Sequence, residues 1–178
     1  MDEGNASLEL INVLFVCTGN SARSIMAEAV INRLGAGKFR GFSCGAAPKG
    51  VIHPFTLDLL HTEGFKTDPY ASKSCDVYTA DNAPNLQFVF TVCDGAAACP
   101  RSTYRGKPMH AHWGVADPVA AEGTEAERRV AFLEAYRQLY RRIEIFCNLP
   151  MSALSRLALQ QKLDAIGALG EGADTASA

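Results

Sequence analysis

Residues 11–24 constrain this chain more than any other stretch. Ile11-Asn12-Val13-Leu14-Phe15-Val16 is an almost continuous apolar run, the pattern of a parallel strand buried on both faces. Beyond a short polar turn, Ala27, Val30, Ile31 and Leu34 recur at i, i+3, i+4 and i+7, one face of a helix that Gly35 can close. The turn between them reads Cys17-Thr18-Gly19-Asn20-Ser21-Ala22-Arg23-Ser24. A strand-turn-helix junction aims backbone N–H groups at the helix N-terminus, where a tetrahedral oxyanion can be cradled. Arg23 adds a planar fork able to hold two anion oxygens at once. The same positive field is expected to lower the pKa of Cys17, making it a thiolate and a nucleophile. A strand-end cysteine beside a surface arginine is the simpler account. Strand, loop, cysteine, arginine and helix together favour the anion site.

The remaining sequence alternates strand and helix patterns. A second strand is expected from Phe39 to Cys44, and a helix from Pro54 through Leu57 and Leu60 to Gly64. Leu86–Val92 reads as a third strand and Met109–Trp113 as a shorter fourth. The longest helix is expected from Thr124 to Phe146, with Leu133, Tyr136, Leu139, Tyr140, Ile143 and Phe146 as its apolar stripe. A last helix carries Leu159, Leu163 and Ile166 on one face, and the end from Gly167 is small and polar enough to be disordered. Such alternation builds βαβ units around a parallel sheet, with ligands bound beyond the carboxyl ends of the strands. Cys17, Cys93 and the loop after Trp113 should converge there.

At 178 residues the chain suits one domain with a real core. A net charge of −2 and the lack of a basic run give no reason to expect nucleic acid. No apolar stretch approaches membrane-spanning length, and the first ten residues have no basic segment of the kind a secretory signal carries. Six cysteines without an export signal point to a reducing cytoplasm and to thiol chemistry.

The third strand ends in Val92-Cys93-Asp94, followed by Cys99-Pro100. Two cysteines at a strand's carboxyl end, beside a thiolate, suggest a redox relay. The alternatives are small buried residues, or zinc among Cys93, Cys99, His110 and His112, whose spacing matches no common zinc knuckle. No metal is expected. Cys44, Cys75 and Cys147 read as packing residues, and His53 and His61 as solvated ones. Asp94 reads as a turn or cap residue, and His112 with Trp113 as a support for the loop that follows.

The early Cys-x5-Arg-Ser loop resembles the low-molecular-weight tyrosine phosphatase superfamily. With Cys93, Cys99-Pro100, His112-Trp113-Gly114 and Asp117-Pro118, the chain is similar to the arsenate reductases built on that fold. The resemblance implies an α/β three-layer sandwich around a four-stranded parallel sheet over residues 11–147, with 148–178 a C-terminal helical extension and tail. It implies Cys17 as nucleophile, Arg23 as oxyanion clamp, Cys93 and Cys99 as resolving thiols, and Asp117 as general acid. Thr18, Gly19, Asn20, Ser21, Ala22, Arg23 and Ser24 would bind arsenate or another tetrahedral oxyanion. No cofactor would be bound; thioredoxin, or glutaredoxin with glutathione, would supply electrons. A tyrosine phosphatase with redox-sensing cysteines, or a non-catalytic binding module, are the other classes.

Departures from the related patterns are informative. Ala22 stands where many relatives carry a second loop cysteine, so Cys93 is the better oxidation partner for Cys17. Val119-Ala120 follow the Asp-Pro pair where phosphotyrosine enzymes place tyrosines. Five residues, not six, separate Cys93 from Cys99. Related reductases that bind potassium use positions matching Asn20, Glu28 and Ser43, with an Asp where this chain has Lys73.

Overall fold

The computed structural model describes residues 9–94 and 103–170. Four parallel strands form one sheet: β1 (Ile11–Cys17), β2 (Phe39–Gly45), β3 (Phe88–Thr91) and β4 (Met109–His112). Their order is β2-β1-β3-β4, so the chain steps to one side of β1 first and to the other side later. Among the described residues four helices connect or flank them: α1 (Arg23–Leu34), α2 (Pro54–Thr62), α3 (Glu125–Cys147) and α4 (Arg156–Gly167). This is the expected layered α/β architecture.

The pleat sorts the side chains. Gly41 lies beneath α1, where an added Cβ would collide with Ile31. On β1 and β3, Phe15 and Phe90 pack together, and Phe90 meets Phe146 of α3. Phe42 and Cys44 point from β2 to the other face, toward a 3₁₀ turn at Cys75–Tyr78. Trp113 stacks flat on Phe90, 3.8 Å between ring centroids, and is fully buried.

Most element boundaries follow local chemistry. Gly35 closes α1 by donating its N–H to the Ile31 carbonyl. Pro54 opens α2 behind His53, whose Nδ1 accepts the Phe55 N–H. His53 is therefore a cap packed on Phe132 rather than a solvated residue. Thr124 and Glu127 form a reciprocal capping box on α3.

Two expectations shift. β3 is shorter than residues 86–92 because only Phe88–Thr91 pair in register with both neighbours, although Gln87 and Val92 still donate to Asn12 and Val16 carbonyls. The buried stripe of α3 is Phe132, Ala135, Tyr136, Leu139, Arg142, Ile143 and Phe146. Leu133 and Tyr140 lie at its edge because Phe132 turns under α2 against Phe55. α4 buries Leu159, Leu163 and Ile166 on one face, as their spacing implies. Among the described residues no helix is long and apolar enough to cross a membrane.

Candidate active site

The sheet order reverses beside β1, and the crevice beyond the carboxyl ends of β1 and β3 is where such a fold receives ligands. Cys17 ends β1 and Arg23 begins α1, so residues 18–22 must turn the chain within five positions. The turn is shaped from outside. The carbonyls of Cys17, Thr18, Gly19 and Ser21 accept from the N–H groups of Ala46, Ala47, Lys49 and His53. Ser72 Oγ adds a second donor to Gly19, and Thr56 Oγ1 one to Ser21. Holding these carbonyls from outside is the arrangement that lets a loop offer backbone N–H groups to an anion. The end of β2 lies so close that a Cβ on Gly45 would sit 2.6 Å from the Thr18 carbonyl oxygen. Only glycine fits there.

Asn20 organises the interior. Its φ is 45°, a left-handed conformation that asparagine tolerates better than most residues. Its side-chain oxygen accepts the Lys73 N–H at 2.8 Å, and its amide donates to Ser24 Oγ at 2.8 Å. Ser24 Oγ also lies 2.7 Å from Cys17 Sγ, where its hydroxyl can donate to a sulfur that bears charge. The Asn20 N–H also reaches that sulfur, at 3.1 Å. These donors favour a thiolate, but burial is the larger effect and pushes the Cys17 thiol above its ordinary pKa. The expectation of a lowered pKa is thus corrected: Cys17 is only 3% exposed, and desolvation outweighs the donors around it.

Arg23 reaches across the crevice. Its Nη1 donates to the Val115 carbonyl at 2.9 Å, and its Nη2 lies 3.4 Å from Asp117 Oδ1. Asp117 is half exposed and accepts the Val119 N–H, capping a 3₁₀ turn at Pro118–Ala120. A cavity of about 260 Å³ is lined by Cys17–Arg23, Lys49, Asp117 and Val119. Of the expected loop positions, 18 to 23 line this cavity with Asp117, while Ser24, in the first turn of α1, lies buried behind it against Cys17 and Asn20.

Cys93 follows β3 and sits beside the loop. Its sulfur accepts the Thr18 N–H at 3.1 Å and lies 3.3 Å from Thr18 Oγ1. Cys17 and Cys93 are near enough that a charge on one opposes a charge on the other. The expected second resolving thiol, Cys99, lies outside the described residues. Next to Cys93, the Asp94 carboxylate accepts from His112 Nε2 at 2.9 Å, so His112 Nδ1 is left to accept from the Thr91 hydroxyl at 2.7 Å. His112 therefore ties Asp94, beside Cys93, to Thr91, and its ring also stands against Gly114 at the base of the Asp117 loop. Among the described residues no cluster of three or more His, Cys, Asp or Glu is placed to hold a metal ion.

Three supporting residues were not singled out from the sequence. Arg142, buried within α3, donates to the carbonyls of Trp113 and Gly114 and, from its other nitrogen, to Leu169. It fixes the base of the loop carrying Asp117. Its signal was available as an arginine between Leu139 and Ile143 on the buried stripe. Lys49 runs its stem across Gly19 and into the cavity wall, and Thr56 supports Ser21. Behind the loop, Ser43 donates to Glu28, and Lys73 Nζ stands 4.0 Å from the same carboxylate. Burial raises the Glu28 pKa, while Lys73 and Ser43 oppose that rise.

The family model described as low molecular weight phosphotyrosine protein phosphatase matches residues 12–160. An arsenate reductase of Shouchella clausii is 33% identical over 140 residues, spanning 76% of this chain and 94% of that protein. A solved arsenate reductase in a phosphate binding state superimposes with a TM-score of 0.60 at 25% identity, over 78% of this chain and 97% of the other. The thioredoxin-dependent arsenate reductase of Corynebacterium glutamicum gives a TM-score of 0.54 at 26% identity, over 81% of this chain and 67% of that one.

Proposed function

We propose that this chain, which belongs to the low molecular weight phosphotyrosine protein phosphatase family, reduces arsenate to arsenite through a relay of thiols. The observation that carries this is Cys93 Sγ held on the Thr18 N–H, one residue from Cys17. Ester hydrolysis needs one nucleophile and a water. Reduction of arsenic needs two electrons, which two thiols supply when they become a disulfide.

Arsenate binds in the loop of residues 18–24, against its backbone N–H groups and with Arg23 across it. As Cys17 attacks, its proton passes to the bound oxyanion, and the Ser24 hydroxyl and Asn20 N–H stabilise the charge that develops on its sulfur. Cys17 sulfur bonds to arsenic, and Asp117 protonates the oxygen that leaves as water. Cys93 sulfur then attacks Cys17 sulfur. The S–As bond breaks, its electron pair stays on arsenic, and arsenite departs from a Cys17–Cys93 disulfide. Cys99 attacks Cys93 in turn, releasing Cys17 as a thiol and carrying the disulfide to positions 93 and 99. A thioredoxin-like dithiol reduces that bond, by analogy with the thioredoxin-dependent relative. We place this chemistry in residues 11–147, with 148–178 as a C-terminal helical extension and tail, and in the reducing cytoplasm. Val119-Ala120 provide no aromatic wall beside Asp117, which favours a small inorganic oxyanion over phosphotyrosine.

The test is a coupled assay with purified protein, arsenate and NADPH, supplied separately with the thioredoxin and glutaredoxin systems, beside an aryl phosphatase assay. Arsenate-dependent NADPH oxidation, absent in Cys17→Ser, is expected with the thioredoxin system. Fast aryl phosphate hydrolysis with no arsenate-dependent oxidation under either donor would make the protein a phosphatase.

A further inference from the structure

On the face of the sheet away from Cys17, two other cysteines meet. Cys44, in β2, is fully buried, and Cys75, at the start of the 3₁₀ turn, is 5% exposed. Their sulfurs are 2.7 Å apart. The Cys44 thiol donates to Cys75 across that contact, so only a short closing movement separates the pair from the roughly 2.05 Å of a disulfide. Main chain brings them together. Gly45 forms a parallel bridge with Ser74, and its N–H donates to the Lys73 carbonyl at 2.9 Å. The residue before Gly45 and the residue after Ser74 are thereby presented to each other.

We propose that Cys44 and Cys75 form a second disulfide, separate from the relay, when the protein meets hydrogen peroxide. The peroxide accepts the two electrons. Cys75, the less buried thiol, is oxidised to a sulfenic acid as the O–O bond breaks and one water leaves. Cys44 sulfur then attacks Cys75 sulfur, the S–O bond breaks, and a second water carries away the oxygen and the remaining thiol proton. The bond ties β2 to residues 72–75. That segment shapes the back of the anion loop, through Ser72 Oγ on the Gly19 carbonyl at 3.2 Å and the Lys73 N–H on Asn20 at 2.8 Å. Oxidation here locks the wall of the cradle without consuming Cys17 or Cys93.

The test uses the full chain carrying Cys93→Ser and Cys99→Ser, because Cys75 otherwise shares its tryptic peptide, residues 74–101, with both relay thiols. The protein is treated with hydrogen peroxide, alkylated, and digested without reductant. The expected product is residues 41–49 linked to residues 74–101, separable by a thiol reductant, with a melting temperature higher by about 5–10 °C than the untreated protein. Cys75→Ser in the same background should show neither the link nor the gain. Recovery of Cys44 and Cys75 as separately alkylated thiols would overturn the proposal, as would an undiminished gain in Cys75→Ser. Should Cys75→Ser fail to fold, the presence or absence of the linked mass decides alone.

Discussion

Asn20 holds a left-handed φ while its side chain is wholly buried and bonded at both ends. Asn20→Ala removes both bonds and leaves alanine in a conformation it disfavours. We expect a loss of about 2–4 kcal/mol in stability, measured by urea unfolding. The Cys17 proton gives a sharper test. Burial holds the thiol above its ordinary value and Ser24 pulls it down, so iodoacetamide labelling of Cys17 should rise with pH to a midpoint above the usual cysteine range. Ser24→Ala removes a lowering partner, moves that midpoint further up and slows labelling at neutral pH. A wild-type midpoint below the usual range would contradict this balance. The cradle recognises tetrahedral charge rather than arsenic, so phosphate and sulfate should inhibit competitively and weakly. Cys17 and Arg23 were legible at this scale because their spacing fits the strand-turn-helix geometry. The direction of the thiol's shift was not, since desolvation depends on what covers the sulfur.

The elements place these residues through a few bonds between them. Arg142 links α3 to the carbonyls of Trp113 and Gly114, and to Leu169 just beyond α4. Arg142→Met keeps the apolar stem but strips three carbonyls of a charged donor. It should cost about 2–4 kcal/mol by denaturant unfolding, and lower turnover by loosening the Asp117 loop. Behind the loop, Lys73 brings an ammonium to Glu28, which Ser43 also holds, at the positions where the resemblance implied a potassium site. Its charge repels a second cation, so turnover and melting temperature should be nearly equal in potassium and sodium chloride. Strong potassium dependence would show that Lys73 leaves room for the ion. Strand and helix order could be read from apolar periodicity, and so could the Leu159, Leu163 and Ile166 face of α4. The α3 stripe departs from its apolar periodicity because a charged residue, Arg142, sits at its centre and because Phe132 is drawn under α2.

Over the whole molecule, the sheet order puts Cys17 and Cys93 at the carboxyl ends of adjacent strands, while α3 and α4 brace the loop bearing Asp117. Trp113 Nε1 donates to the Leu163 carbonyl, so α4 also caps the central aromatic stack. Truncation after residue 149 should expose Trp113 and forfeit the burial of three aliphatic side chains at about 1.5–3 kcal/mol each, which a large fall in melting temperature would register. The convergence of loop, second cysteine and acid was legible because parallel sheets bind at strand ends. The pairing of Cys44 with Cys75 was not, since 31 positions separate them and only the bridge at Gly45 brings them into contact. The relay is tested most directly by trapping its intermediate. Cys99→Ser is treated with one equivalent of arsenate, alkylated and mapped without reductant. A Cys17–Cys93 disulfide, with one equivalent of arsenite released and no further turnover, is the predicted result. Arsenite production that continues under the thioredoxin system, or Cys17 and Cys93 both recovered as alkylated thiols after arsenite release, would contradict it.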